Sequence, residues 1–382
     1  MSWLILQETP GRSAHRLMMN KKQILIVVGL ADPSVDTSDV QRLRTLMQSR
    51  NAQWEIWGWD CAHFCDIGHG KSRGPLLGKL IVFAAYFWWS IRIFFRTLLN
   101  HKPCLYYCLM LEGALPVAAA GLLRNIPFVF ANMDNAPLIR NWNPAIKKCV
   151  EGLESFVAGR AAAHVLPAPE RWSRNDANVH FVQNTPCRHT FQIAEQIAVQ
   201  RGFNRDGALT VYANGWLGSV RGLDVLMDAV RGCKQKIRVV LAGKLASPQA
   251  EALANSEFCE YLGLLKSEEA LAHYSRAHLV FSYYDPSYTI DRLASSGKWA
   301  ECVLSGVPFI VNTEVETANK FRLKEACFST LYHDADGLSA LLDRLAADRA
   351  ELERVKGNLA GFRIGFWDDN MASVLTRCGL NL

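Results

Sequence analysis

The stretch LTVYANGWLGSVRGLDVLMDAV, residues 209–230, changes its period partway along. Its first part, LTVYANGWL (209–217), is apolar and rich in strand-forming side chains. Glycines at 215, 218 and 222 then interrupt the run, and GLDVLMDAVRG (222–232) resumes with apolar residues at helical spacing. Strand, glycine turn and helix form the repeating unit of a parallel sheet with crossover helices. Gly215, Gly218 and Gly222 let backbone approach a phosphate, and Arg221 at the helix start can grip one with two parallel hydrogen bonds. Glycine turns are common, so the neighbouring segments decide what this one means.

Downstream the same alternation continues. IRVVLAG (237–243), CEYLGLL (259–265), LVFSYYDP (279–286) and PFIVN (308–312) read as strands. SEEALAHYSRA (267–277) reads as a helix, and so does the whole of 335–362, ADGLSALLDRLAADRAELERVKGNLAGF. Upstream, KQILIVVGL (22–30) is a buried parallel strand, followed by a helix at 40–50 and a strand at 52–59. A long helix at 76–99 precedes strand 103–110, a small-residue helix at 114–125 and strand 126–135. A helix at 144–163 and the short strands HVLPA and VHFVQNTP close this half. Between the halves, 187–208 loses strand character and reads as a linker. The expected fold is α/β, with two doubly wound domains: 1–190, joined by a last helix from 366–382, and 191–365. Ligands of such sheets bind beyond the carboxyl ends of the strands, here in a cleft between the halves.

The chain has 382 residues, half of them apolar and a fifth charged, which makes it globular. A dispersed net charge of +6 argues against nucleic acid and suits an anionic ligand or an acidic membrane surface. Eleven cysteines without a framework fit a reducing compartment. The N-terminus lacks signal-peptide order, so the expected location is cytoplasmic. Segment 76–99 has an apolar core, Leu80 to Ile91, too short to span a bilayer. Trp88, Trp89 and Phe94 beside Lys79, Arg92 and Arg96 give two readings: an in-plane membrane-surface helix, or one buried in the domain core.

SSGKWAECVLSGVPFIV (295–311) carries the sharpest chemistry. Ser295 or Ser296 is a candidate N-cap, Gly297 permits close backbone approach, and the free amides at the helix start attract an anion. Lys298 adds positive charge there, and Glu301, one turn on, can accept two hydrogen bonds from a vicinal diol such as ribose. Together they match a nucleoside diphosphate; the alternative is an i,i+3 ion pair on a solvated face. Asp134, in ANMDNAP, either contacts an acceptor or shapes a turn with Asn135. CAHFCDIGH (61–69) lacks standard zinc-finger spacing, and Asp336 in HDADG is expected as a helix N-cap, so no metal is expected.

The ordered set of Gly-Trp-Leu-x3-Arg-Gly-Leu-Asp, VVLAG, YLGLLKSEEALAHYSRAHLVF and YDPSYTIDRLASSGKWAECVLSGVPFIV resembles the retaining glycosyltransferases of family 4. The resemblance is nearest to the bacterial polysaccharide branch, covers nearly all of 209–312, and extends more weakly to 76–187. It implies a GT-B fold and transfer of a sugar from a nucleotide diphosphate sugar to a glycan, with a lipid-linked acceptor at the inner membrane surface. By position, Glu301 would bind the donor ribose, and Arg221 and Lys298 its diphosphate. Gly215, Trp216, Gly243, Asp285, Ser295, Ser296 and Gly297 would complete the donor site, with Asp134 and Asp291 as further catalytic candidates. Two positions depart from the family. Trp216 stands where a basic residue is usual, and Leu293 where many relatives carry an acid, with Asp285 and Asp291 the nearest carboxylates. The alternatives are a nucleotide-sugar epimerase or hydrolase on the same fold, and a non-catalytic subunit that binds nucleotide-sugar or docks a partner.

Overall fold

A computed structural model describes residues 24–29, 38–58, 75–139, 142–205, 207–380 and 382. The cysteine–histidine segment 61–69 and the N-terminal stretch read above lie outside them. The chain divides into two units, one running to Val182 and taking in Asp368–Leu382, the other spanning Gln183–Trp367.

In the first unit, β1 (Ile24–Gly29), α1 (Ser38–Ser49), β2 (Gln53–Gly58), α2 (Pro75–Leu99), β3 (Cys104–Leu109) and α3 (Met110–Arg124) follow one another. Then come β4 (Phe128–Ala131), α4 (Ala136–Ile139), α5 (Pro144–Arg160), β5 (Ala163–Leu166) and β6 (Val179–Phe181). The strands form one sheet, ordered β2-β1-β3-β4-β5-β6, and every pairing is parallel. A strand covered by helices on both faces must be apolar on both, and β3 and β4 are buried at every residue. Each fully buried large apolar side chain there, such as Phe128 or Phe130, contributes about 1.5–3 kcal/mol. Strand β3 turns into α3 with no loop, at Met110 (φ 60°). Gly113 makes that turn possible: a Cβ there would lie 2.4 Å from the Val28 carbonyl oxygen. The helix therefore begins four residues before the small-residue run that marks it in sequence.

In the second unit, α6 (Arg188–Gln200) leads into β7 (Leu209–Gly218), a 3-10 turn (Ser219–Arg221), α7 (Leu223–Gly232) and β8 (Ile237–Ala246). Next come α8 (Pro248–Ala254), β9 (Cys259–Tyr261), α9 (Ser267–Ala272), β10 (Leu279–Phe281), α10 (Thr289–Arg292) and α11 (Gly297–Ser305). Strand β11 (Phe309–Asn312), α12 (Asn319–Arg322), β12 (Phe328–Thr330), α13 (Ala335–Ala347) and α14 (Ala350–Leu359) follow. A last helix, α15 (Trp367–Arg377), enters the first unit at Asp368. The sheet order is β12-β11-β10-β7-β8-β9, again all parallel. Strand order reverses between β7 and β10, which leaves a crevice at their carboxyl ends.

Three readings need correction. Residues 187–208 are not a bare linker: α6 buries Phe191, Ala194 and Ala198 in the second unit's core, at a helical spacing that carries no strand character. The segment 335–362 is two helices, parted where the Asp348 carboxylate accepts from the Ala350 amide at 2.8 Å. The N-cap of α13 is Asp334, whose Oδ1 accepts from the Gly337 amide at 2.8 Å, and not Asp336.

Candidate functional site

The crevice at β7 and β10 opens into a small recess lined by Asn214, Trp216, Arg221, Tyr283 and Lys298 among others. Sequence distant by scores of residues converges here because parallel strands all end on the same side.

Arg221 closes the 3-10 turn after β7, and Gly222 in the left-handed region (φ 61°) turns the chain into α7. A Cβ at 222 would be strained by that φ and would crowd Tyr283, 3.0 Å away. The Arg221 guanidinium lies 4.4 Å from the centre of the Tyr284 ring and 5.6 Å from that of Trp216. Its Nη1 donates to Asp291 Oδ1 at 3.2 Å. Lys298 brings a second cation to the same ring, its Nζ 5.9 Å from the centroid. Burial pushes the Tyr284 hydroxyl up. The Lys298 ammonium, the Arg221 guanidinium and hydrogen bonds with Ser296 and Ser282 outweigh it and hold the group below the usual tyrosine range. Asn312, fully buried at the end of β11, clamps the Tyr284 backbone by accepting from its amide (2.9 Å) and donating to its carbonyl (3.0 Å). The ring is thus fixed in place with both cations beside it.

Glu301 is held separately. Among the described residues no ion pair joins it to Lys298, so the solvated i,i+3 pair is not formed. Instead the buried Tyr274 hydroxyl donates to Glu301 Oε2 and stands 3.4 Å from Asn214 Oδ1 at the recess wall. Burial and then the Glu301 charge push the Tyr274 hydroxyl well above its ordinary value, so it remains a donor. One carboxylate oxygen is pinned, and the other accepts no hydrogen bond among the described residues.

The other sequence-selected residues fall out differently. Ser296 is the N-cap of α11 by position, but its side chain makes no capping bond and serves Tyr284. The Ser295 carbonyl accepts from Asn184 Nδ2 at 3.0 Å, and a Cβ at Gly297 would meet the Asn184 carbonyl at 2.9 Å. The close approach that Gly297 permits is therefore to the chain's own backbone. Gly215 (φ 96°) and Gly243 (φ 134°) pair across β7 and β8, and a Cβ on Gly243 would lie 1.9 Å from the Gly215 carbonyl oxygen. Gly218 lies under the Trp216 indole, whose ring atoms would fall 2.0 to 2.4 Å from a Cβ there. Asp285 is engaged in its own turn, accepting from the Ser287 amide (2.9 Å) and hydroxyl (2.6 Å). Asp134 belongs to the first unit, in the bend after β4, 3.5 Å from the buried Arg171. Sequence reasoning missed Tyr274, Tyr284, Asn214, Asn184 and Asn312; the paired tyrosines of FSYYDP were the one visible signal.

No family model and no curated protein matches the sequence. Solved structures do. Anabaena HepE in complex with UDP and glucose aligns with a TM-score of 0.61 at 13% identity, over 93% of this chain and 100% of that chain. A sucrose-phosphate synthase from Thermosynechococcus elongatus aligns at 0.59 and 14% identity, over 94% and 96%. The N-terminal domain of Candida albicans trehalose-6-phosphate phosphatase aligns at 0.56 and 10%, over 94% and 97%. At such identities the likeness establishes the fold alone: two doubly wound parallel sheets of GT-B type.

Proposed function

We propose that this chain is a glycosyltransferase of family 4 that takes a sugar from a nucleoside diphosphate donor, with retention at the anomeric carbon. The observation that carries the reading is the convergence of Arg221, Lys298 and the Tyr274-anchored Glu301 at the switch point of one sheet. Two cations on one aromatic wall suit a diphosphate, and a carboxylate with one free oxygen suits a ribose diol. The HepE complexes with UDP support that assignment by analogy of fold. As the bond to the anomeric carbon breaks, negative charge grows on the leaving diphosphate. Arg221, Lys298 and the first amides of α11 stabilise it, and no metal is required for that step. Donor binding displaces Asp291 from Arg221 or shares it, so Asp291 holds the guanidinium ready. The sugar transferred is a hexose, and the acceptor is a lipid-linked glycan of polysaccharide biosynthesis at the inner face of the cell membrane. Leu293, standing where relatives carry an acid, favours a second reading as a nucleotide-sugar-binding subunit without turnover.

Calorimetry against a panel of nucleoside diphosphate sugars, with and without EDTA, tests the donor site; binding abolished by EDTA would remove it. Release of labelled sugar in the presence of membrane extract separates the two readings. In that assay Arg221→Ala should cost a factor of about a hundred or more in turnover, and Arg221→Lys should recover only part. Tight donor binding with no turnover under any acceptor would leave the binding subunit.

A further inference from the structure

Helix α2 buries one ridge and exposes a more apolar one. Trp89, Ile93 and Thr97, spaced four apart, are buried. On the outer side Phe83 (67% exposed), Phe87, Phe95 and Leu99 (68%) follow the same spacing, with Ile91 half-buried among them. Beside them run Trp88 (65%), Arg92 and Arg96, all exposed. A helix that packs on a sheet normally turns a polar face outward, and this one does not. Helix α3 extends the face. The Tyr86 hydroxyl donates to the Glu112 carbonyl (3.2 Å), and Arg124 donates to the carbonyls of Leu98 (2.8 Å) and Asn100 (2.6 Å). The first two contacts share an offset of 26 residues, so the helices run parallel, and Leu122 and Leu123, both exposed, lie level with the end of α2.

We infer that this face lies in the plane of a bilayer bearing anionic headgroups. On α2 the charge is of one sign: the helix contains no acidic residue, and Arg92 and Arg96 flank the apolar ridge where a headgroup layer would meet them. Arg96 is braced over the Trp57 ring at 4.0 Å, so its side chain is set in place before contact. Aromatic residues beside cations belong at the boundary between acyl chains and water. Among the described residues no helix is long and apolar enough to cross a membrane, which leaves attachment from one side. A two-fold pairing with a second copy would bring two faces bearing the same cations together, at a cost in repulsion that an acidic surface reverses. The face stands on α2 and α3 alone; only its link to a lipid-linked acceptor rests on the transferase reading.

Flotation of the full chain with vesicles of equal parts phosphatidylglycerol and phosphatidylcholine, against pure phosphatidylcholine, is the test. The protein should float with the anionic vesicles. Arg92→Glu should weaken partitioning by about tenfold or more. Phe87→Ser with Phe95→Ser should abolish it, with circular dichroism and nucleotide affinity unchanged. In the wild type, hydrogen exchange across 83–99 should slow when vesicles are added, which needs no variant to fold. Wild-type protein that ignores anionic vesicles would overturn the inference, as would serine variants that still float. Self-association abolished by the serine substitutions, without vesicle binding, would assign the face to a second copy instead. Nucleotide binding measured without lipid judges the transferase site separately.

Discussion

Glu301 shows how much a single side chain depends on a partner far away in sequence. Its bond from Tyr274 spans 27 positions, and the cation pairing at Arg221 reaches Asp291 across 70. A carboxylate that accepts from a diol does so through charge-assisted bonds, which an amide forms less well. Glu301→Gln should therefore weaken binding of the preferred nucleoside diphosphate by about 1.5–3 kcal/mol. It should also erase the preference over the 2′-deoxy analogue, a comparison calorimetry makes directly. Tyr274→Phe should shift affinity the same way by a smaller amount, because the carboxylate remains but loses its fixed orientation. Equal affinities for ribose and deoxyribose forms in the wild type would remove Glu301 from the ribose role. Lys298 and Glu301 were legible in sequence, since i,i+3 spacing after two serines is a local pattern. The tyrosines that aim them were not, because aromatic residues in strands are read first as core.

At the scale of elements, the glycines separate into those that shape packing and those that merely occupy a helix. Gly243 holds φ 134° and its Cβ would collide with the Gly215 carbonyl oxygen, backbone that cannot move aside without unpairing β7 from β8. Gly243→Ala should cost about 3 kcal/mol or more in urea unfolding and should distort the recess with it. Gly357, inside α14 with nothing within 4 Å of a built Cβ, makes the contrast. Gly357→Ala should stabilise by roughly 0.5–1 kcal/mol. Reversed signs would mean that the β7–β8 register differs from the one described. Alternating periodicity located most strands and helices, although β9 and β10 proved shorter than their apolar runs. An apolar run continues past the last ladder bond wherever the chain stays buried, so hydrophobicity overstates strand length.

For the whole molecule, two buried histidines tie stability to pH in both units. His164 stacks on Phe130 in the first unit, and His273 packs against Phe203 in the second. Burial, joined for His273 by Arg276 and Arg201, lowers each imidazole from about 6.5 to about 4. The unfolded chain therefore binds more protons between those values, and stability falls as pH drops through that window. By pH 5 each histidine should have cost on the order of 2 kcal/mol, read as a falling urea midpoint between pH 7 and pH 5. His164→Phe should flatten the decline by about half. A midpoint constant over that range would show that neither ring is excluded from water.

What the sequence determined by itself was local: which segments are strands and helices, that they alternate twice over, and that Arg221 and Lys298 each stand at a helix start. These follow from side-chain periodicity and turn chemistry, which act over a few residues. Tertiary structure alone decided that β7 and β10 are neighbours and that Arg221 and Lys298 both lie beside the Tyr284 ring. It alone decided that Gly243 and Gly297 face backbone rather than ligand, and that α2 exposes its more apolar ridge. Strand order and helix facing are settled by packing between segments far apart in the chain, and no local pattern encodes a partner it does not touch.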